Sequence, residues 1–83
     1  MSVTQSGNAT HDATCLASEV TRQAADNAAR LTFIAGGTSA AYQAALDANA
    51  AADFRRRIAS CLANGLQPGV FQEGLHRLTG SYS

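Results

Sequence analysis

Three groups of side chains in this sequence could carry chemistry: the run Arg55-Arg56-Arg57, the two cysteines Cys15 and Cys61, and the two histidines His11 and His76. Consecutive arginines suggest capture of an anion such as a phosphate backbone. On a helix, though, three successive side chains fan over about 200° and make no single stripe. Asp53 stands four residues before Arg57 and can neutralise it. The run therefore reads as a solvated face, with a patch for an anionic partner as the alternative.

The cysteines lie at similar distances from a glycine pair in mid-chain, so folding back at that pair would bring them to nearly the same level. Their angular positions point apart, however, and a disulfide needs Cα atoms within about 7 Å. Cys61 reads as a small buried apolar residue and Cys15 as an incidental thiol, with a redox pair as the alternative. His11 and His76 have no ligand spacing to a cysteine or to each other, whereas a structural zinc site takes four convergent ligands. There is no glycine-rich phosphate loop, no nucleophile elbow and no pair of carboxylates in an apolar frame. The expectation is a non-enzymatic chain with no catalytic residue, no metal and no cofactor.

The elements that would position these residues are helices. Asn8 or Thr10 can cap a first helix, and Asp12 suits the positive end of its dipole. Ala17, Val20, Ala24, Asn27, Leu31 and Ile34 then recur at spacings of three and four, a heptad-like seam on one face. Behind it Glu19, Arg22, Asp26 and Arg30 alternate in sign, as a solvated ladder does. Gly36-Gly37 stops this helix, because glycine takes the left-handed conformation without a Cβ clash. Thr38 or Ser39 can cap the next helix, which makes an antiparallel helical hairpin.

The second helix should carry Tyr42 and Leu46 early, and Phe54, Ile58, Cys61 and Leu62 on one face later. Gly65 is placed to cap it with Leu66 folding back on Cys61, and Pro68 suits the first turn of a third helix. That third segment has Phe71, Leu75 and Leu78 on one face, weakened by Gly69 and Gly74. The expected organisation is a disordered tail over 1–9, one helical domain over 10–79 with helices near 10–35, 40–63 and 68–79, and a tail over 80–83. The fold class is all-α: a helical hairpin with a short third C-terminal helix.

The core this chain can build is thin. Its 83 residues hold eighteen alanines but only fifteen Leu, Ile, Val and Phe together. Chains of this size rarely obtain more than about 3–5 kcal/mol from one core, so a marginal monomer or a core completed by a partner is expected. Six arginines balance six acids with no lysine, and zero net charge argues against a general nucleic-acid binder. No segment approaches the roughly 20 apolar residues of a membrane span, and the start lacks the regions of a signal peptide. A cytoplasmic location is the default expectation.

Phe33 falls by angle on the Cys15–Arg22–Asp26 side of its helix, away from the seam. Either the third helix covers it or it belongs to an exposed apolar surface, and Tyr42 poses the same question across the turn. The expected function is protein binding, with Leu31, Phe33, Tyr42, Phe54 and Ile58 as the contact residues.

The order Ala35 to Gly65, with Gly36-Gly37 at the turn, Tyr42-Gln43 just inside the second helix and the alanine-rich run Ala51–Leu62, resembles a known family. It is similar to the small helical-hairpin co-chaperones of type III secretion needles, the YscE/EscE-like family. That resemblance implies a protein that joins a helical-repeat chaperone and keeps a needle subunit from polymerising early in the cytosol. This chain departs from the family pattern by continuing through Leu66 to Ser83. A structural subunit of a helical filament or other assembly is the first alternative. A small regulator contacting nucleic acid through Arg55, Arg56 and Arg77 is the second.

Overall fold

Two glycine-closed turns divide the chain into three helices. In a computed structural model that describes residues 7–83, α1 runs Ala9–Ile34, α2 Ser39–Ala63 and α3 Gly69–Thr79. Each boundary lies within a residue of its expected place, and the all-α hairpin with a short third helix is the observed fold. Of the tail expected over 1–9, residues 1–6 lie outside the described residues. Asn8 caps α1 by accepting from the His11 N–H at 2.9 Å, so the cap is Asn8 and not Thr10. Thr38 caps α2 in the same way, through the Ala41 N–H at 3.0 Å.

The α1–α2 turn is closed by a pair of backbone bonds. The Gly37 N–H reaches back to the Thr32 carbonyl at 3.2 Å and the Gly36 N–H to that of Phe33 at 3.1 Å. Gly36 sits at φ +123°, a conformation closed to residues with a Cβ. The end of α2 repeats the device: the Leu66 N–H meets the Cys61 carbonyl at 2.8 Å. Pro68 precedes α3 and supplies the carbonyl for the Gln72 N–H at 2.9 Å.

α2 is the central element. α1 lies along one face of it and α3 on another, and α1 and α3 do not approach each other. The result is an elongated body of 44 × 29 × 19 Å. The apolar core belongs to α2 and α3: Ala51, Ile58 and Leu75, flanked by Phe54 and Phe71. Leu75 has no exposed surface at all. Gly74 has a structural reason in this packing. A Cβ there would fall 2.5 Å from the tip of the Phe54 ring, so glycine lets that ring lie against the α3 backbone.

The face that α1 turns to α2 is not the apolar seam. Leu16, Val20, Leu31 and Ile34 are 64%, 59%, 55% and 66% exposed, and Ala17, Ala24 and Asn27 are exposed with them. The inward stripe is His11, Cys15, Ser18, Arg22, Asp26, Ala29 and Phe33, all buried or half-buried. It is spaced by threes and fours as the seam is, so spacing alone is a weak guide between the two. The inward stripe prevails because α2 offers it polar partners all along its length. Phe33 is correspondingly covered by Tyr42 and not by α3; the rings stack at 5.0 Å between centroids, 13° from parallel.

Candidate functional site

Three places on this scaffold could do something: the polar interface between α1 and α2, the aromatic pair at the turn, and the outer face of α1.

The polar interface is organised around Asp53, whose side chain is almost wholly enclosed. Its Oδ1 accepts from the Ser18 hydroxyl at 2.6 Å. The Arg57 Nε lies 3.1 Å from both carboxylate oxygens, one helical turn further on. Arg22 adds a third cationic contact from α1, 3.6 Å from Oδ2. Burial by itself would push the Asp53 carboxyl up. The hydrogen bonds from Ser18 and Arg57, with the charges of Arg57 and Arg22, outweigh it and hold the carboxyl below its usual range. Ser18 is also a relay: its Oγ accepts from the Arg56 Nε at 2.7 Å, and a second nitrogen of Arg56 donates to the Ser18 carbonyl at 3.3 Å. Among the described residues no buried side-chain nitrogen or oxygen is left without a partner.

The arginine run is thus largely internal, which corrects its reading as a solvated face. Arg56 and Arg57 turn to Ser18 and Asp53, and Arg57 also lies over the Phe71 ring at 5.8 Å. Only Arg55 of the three is exposed. The ladder behind the seam is corrected in part: Arg22 and Asp26 do pair one turn apart at 3.7 Å, but they border the interface, Asp26 accepting from Asn49 of α2 at 3.1 Å. Glu19 and Arg30 remain exposed.

Towards the open end of the hairpin the interface continues with His11, Ser60, Cys15 and Cys61. The His11 Nδ1 is 2.8 Å from the Ser60 hydroxyl. Its Nε2 is 3.4 Å from the Cys15 sulfur and 3.8 Å from that of Cys61. The two thiols expected to point apart therefore meet at one imidazole. Among the described residues no group of three His, Cys, Asp or Glu is arranged to hold a metal ion. His76 is far from this group in the chain and stacks on Tyr82 at 4.3 Å, folding the C-terminal residues back on α3.

At the closed end, Phe33 and Tyr42 line an open, apolar cleft of about 130 Å³ with Ala29, Thr32, Thr38 and Ala41. The five contact residues expected from sequence do not share one surface. Phe54 and Ile58 pack against α3, Phe33 and Tyr42 are half-buried against each other, and Leu31 stands on the outer face of α1. Sequence reasoning missed Ser18 and Ser60, took His11 for an isolated histidine and gave Asp53 only as the neutraliser of Arg57; all four are buried polar residues. The available signal was that His11, Cys15, Ser18, Arg22, Asp26 and Phe33 form a second heptad-like stripe, with complementary groups in Asp53, Arg56 and Ser60.

Comparison with models of known families, with curated proteins and with solved structures finds no match to this chain. No helix among the described residues is long and apolar enough to cross a membrane.

Proposed function

We propose that this chain is a protein-binding module that takes an amphipathic helix of another protein along the outer face of α1. The observation that carries the reading is the exposure of Leu16, Val20, Leu31 and Ile34 on a face that neither α2 nor α3 covers. Large apolar side chains aligned on one exposed helix face mark a contact surface. Leu16 with Val20, and Leu31 with Ile34, are each about one turn apart, the spacing of anchors in helix recognition. Glu19 and Arg30, exposed and of opposite sign, lie along the same edge of the face. They ask for Arg or Lys and for Asp or Glu, respectively, on the incoming helix. The occupant is therefore a helix with an apolar stripe and both charges on its flank.

The specific form of this reading is a co-chaperone of a type III secretion needle subunit, in complex with a helical-repeat chaperone. It rests on the resemblance around Gly36-Gly37 and Tyr42-Gln43. The nucleic-acid alternative is weakened by the internal use of Arg56 and Arg57. The test is co-expression with a needle subunit and a helical-repeat chaperone, followed by light scattering of the soluble species. The expected result is a complex with the wild-type chain that the double variant Val20→Glu/Leu31→Glu fails to form while keeping its helicity. A homodimer abolished by the same double variant would make the occupant a second copy and overturn the adaptor reading.

A further inference from the structure

The open end of the hairpin holds a thiol pair that docking on α1 does not use. Cys15 of α1 and Cys61 of α2 are both free thiols, the first half-exposed and the second buried. Their sulfurs lie 3.4 Å and 3.8 Å from the same atom, the His11 Nε2. The ring is held by Ser60 Oγ at 2.8 Å from Nδ1. The tautomer that donates from Nδ1 to Ser60 leaves the Nε2 lone pair facing both S–H groups. His11 is one helical turn before Cys15 and Ser60 is next to Cys61, so two elements each supply a thiol and one side of the base that joins them.

We propose that Cys15 and Cys61 are a disulfide-forming pair, oxidised by a low-molecular-weight disulfide to a covalent staple between α1 and α2. A bridge requires Cα atoms within about 7 Å, and the contact both sulfurs make with the one His11 Nε2 is the geometry that brings the two thiols together. Cys15, the accessible thiol, gives its proton to the His11 Nε2 or to water and attacks one sulfur of the small disulfide. That S–S bond breaks, one small thiolate leaves and takes up a proton, and a mixed disulfide remains on Cys15. The Cys61 thiolate then attacks the Cys15 sulfur, the mixed S–S bond breaks, and the second small thiol leaves with the second proton. Two protein thiols lose two electrons and one small disulfide gains them.

Burial pushes both thiols up. At Cys15 the Arg57 charge opposes this, while Cys61, Asp12 and Asp53 add to it. The exchange is accordingly slow at neutral pH and fits a site that responds to sustained oxidation, not a catalytic oxidoreductase. The product ties α1 down by its polar face and so keeps Leu16, Val20, Leu31 and Ile34 outward.

The experiment incubates the full chain with oxidised glutathione and follows intact mass, thiol count under denaturation and thermal melting. The expected product is a monomer that has lost two hydrogens, carries no glutathione and has no free thiol. Closing so long a loop should raise its Tm by about 10 °C, reversibly on reduction. Cys61→Ser should stop at the glutathione adduct on Cys15, and Cys15→Ser should react far more slowly than the wild-type chain. A wild-type chain that accumulates the Cys15 adduct, or a Cys15-linked dimer, with Cys61 still free would overturn the proposal.

Discussion

The two faces of α2 are built on different principles. Towards α1 it presents Asn49, Asp53, Arg56 and Ser60, each bonded to a polar group of α1. Towards α3 it presents Ala51, Phe54 and Ile58, packed on Leu75 and Phe71. The long interface is a ladder of directed bonds and the short one a small apolar cluster. A polar ladder contributes little net stability for its length, because each bond replaces one to water. What it supplies is register: a slip of α1 by one turn would leave Asp53 buried against the wrong partners. An apolar cluster has the opposite character, tolerant of sliding but favourable for each area removed from water. The chain thus has one interface that fixes geometry and another that provides much of its hydrophobic stabilisation.

Removing the centre of the polar side should have the largest effect. Asp53→Ala leaves Arg57, Arg22 and Ser18 facing a site without an acceptor, and breaking a buried pair from one side costs about 3 kcal/mol or more. For a domain of this size that is a fall in Tm of about 15 °C. Hydrogen exchange should show α1 protection lost first. Leu75→Ala strikes the other interface, where removing a fully buried leucine costs about 3 kcal/mol. Its signature is distinct: α3 amides should exchange rapidly while the α1 and α2 amides near Asp53 keep their order. If both variants unfold the chain with identical exchange patterns, the two interfaces are one cooperative unit and the contrast between them fails.

Acid should separate them by a smaller margin. Asp53 is held below its usual range in the folded chain. Its contribution is therefore present above the unfolded carboxylate value, about 3.9, and is lost as pH falls through the folded value. Thermal melts between neutral pH and pH about 3 should show Tm falling below about pH 4, and Asp53→Asn should flatten that fall. An unchanged profile in Asp53→Asn would place the acid sensitivity elsewhere. The smallest effect is expected at Gly74. Alanine there improves helix propensity by roughly 1 kcal/mol but displaces the Phe54 ring, an overpacking cost of about 1–3 kcal/mol. The net is a loss of about 1 kcal/mol, read as a Tm drop of a few degrees. A gain in Tm would mean that the ring moves aside freely.

The contrast also explains what was legible in the sequence. Helix ends were, because Gly36, Thr38, Gly65 and Pro68 act locally and their geometry depends on neighbours in the chain. The apolar faces carrying Phe54, Ile58 and Leu75 were legible from their spacing, but their pairing was not, since Phe54 and Ile58 read as contacts for a partner and not for α3. The face of α1 was not. Val20, Leu31 and Ile34 gave the stronger hydrophobic pattern, and pattern weighs apolar residues alone. Ser18 and His11 carry no such signal until Asp53 and Ser60 are placed opposite them, which is a tertiary fact. The arginine run was misread in part: the Arg57–Asp53 pair follows from its spacing and is present, but the bonds of Arg56 lie across the interface on Ser18.

The most direct test of this arrangement is a thermal melt of Val20→Glu/Leu31→Glu at low micromolar protein, beside the wild-type chain. With α1 packed by its polar stripe, both substitutions fall on open surface, where changes stay within about 0.5 kcal/mol each. Full helicity and a Tm within a few degrees of wild type are predicted. Loss of helix, or a Tm lowered by more than about 10 °C, would mean that the apolar seam is core and that α1 faces α2 the other way round.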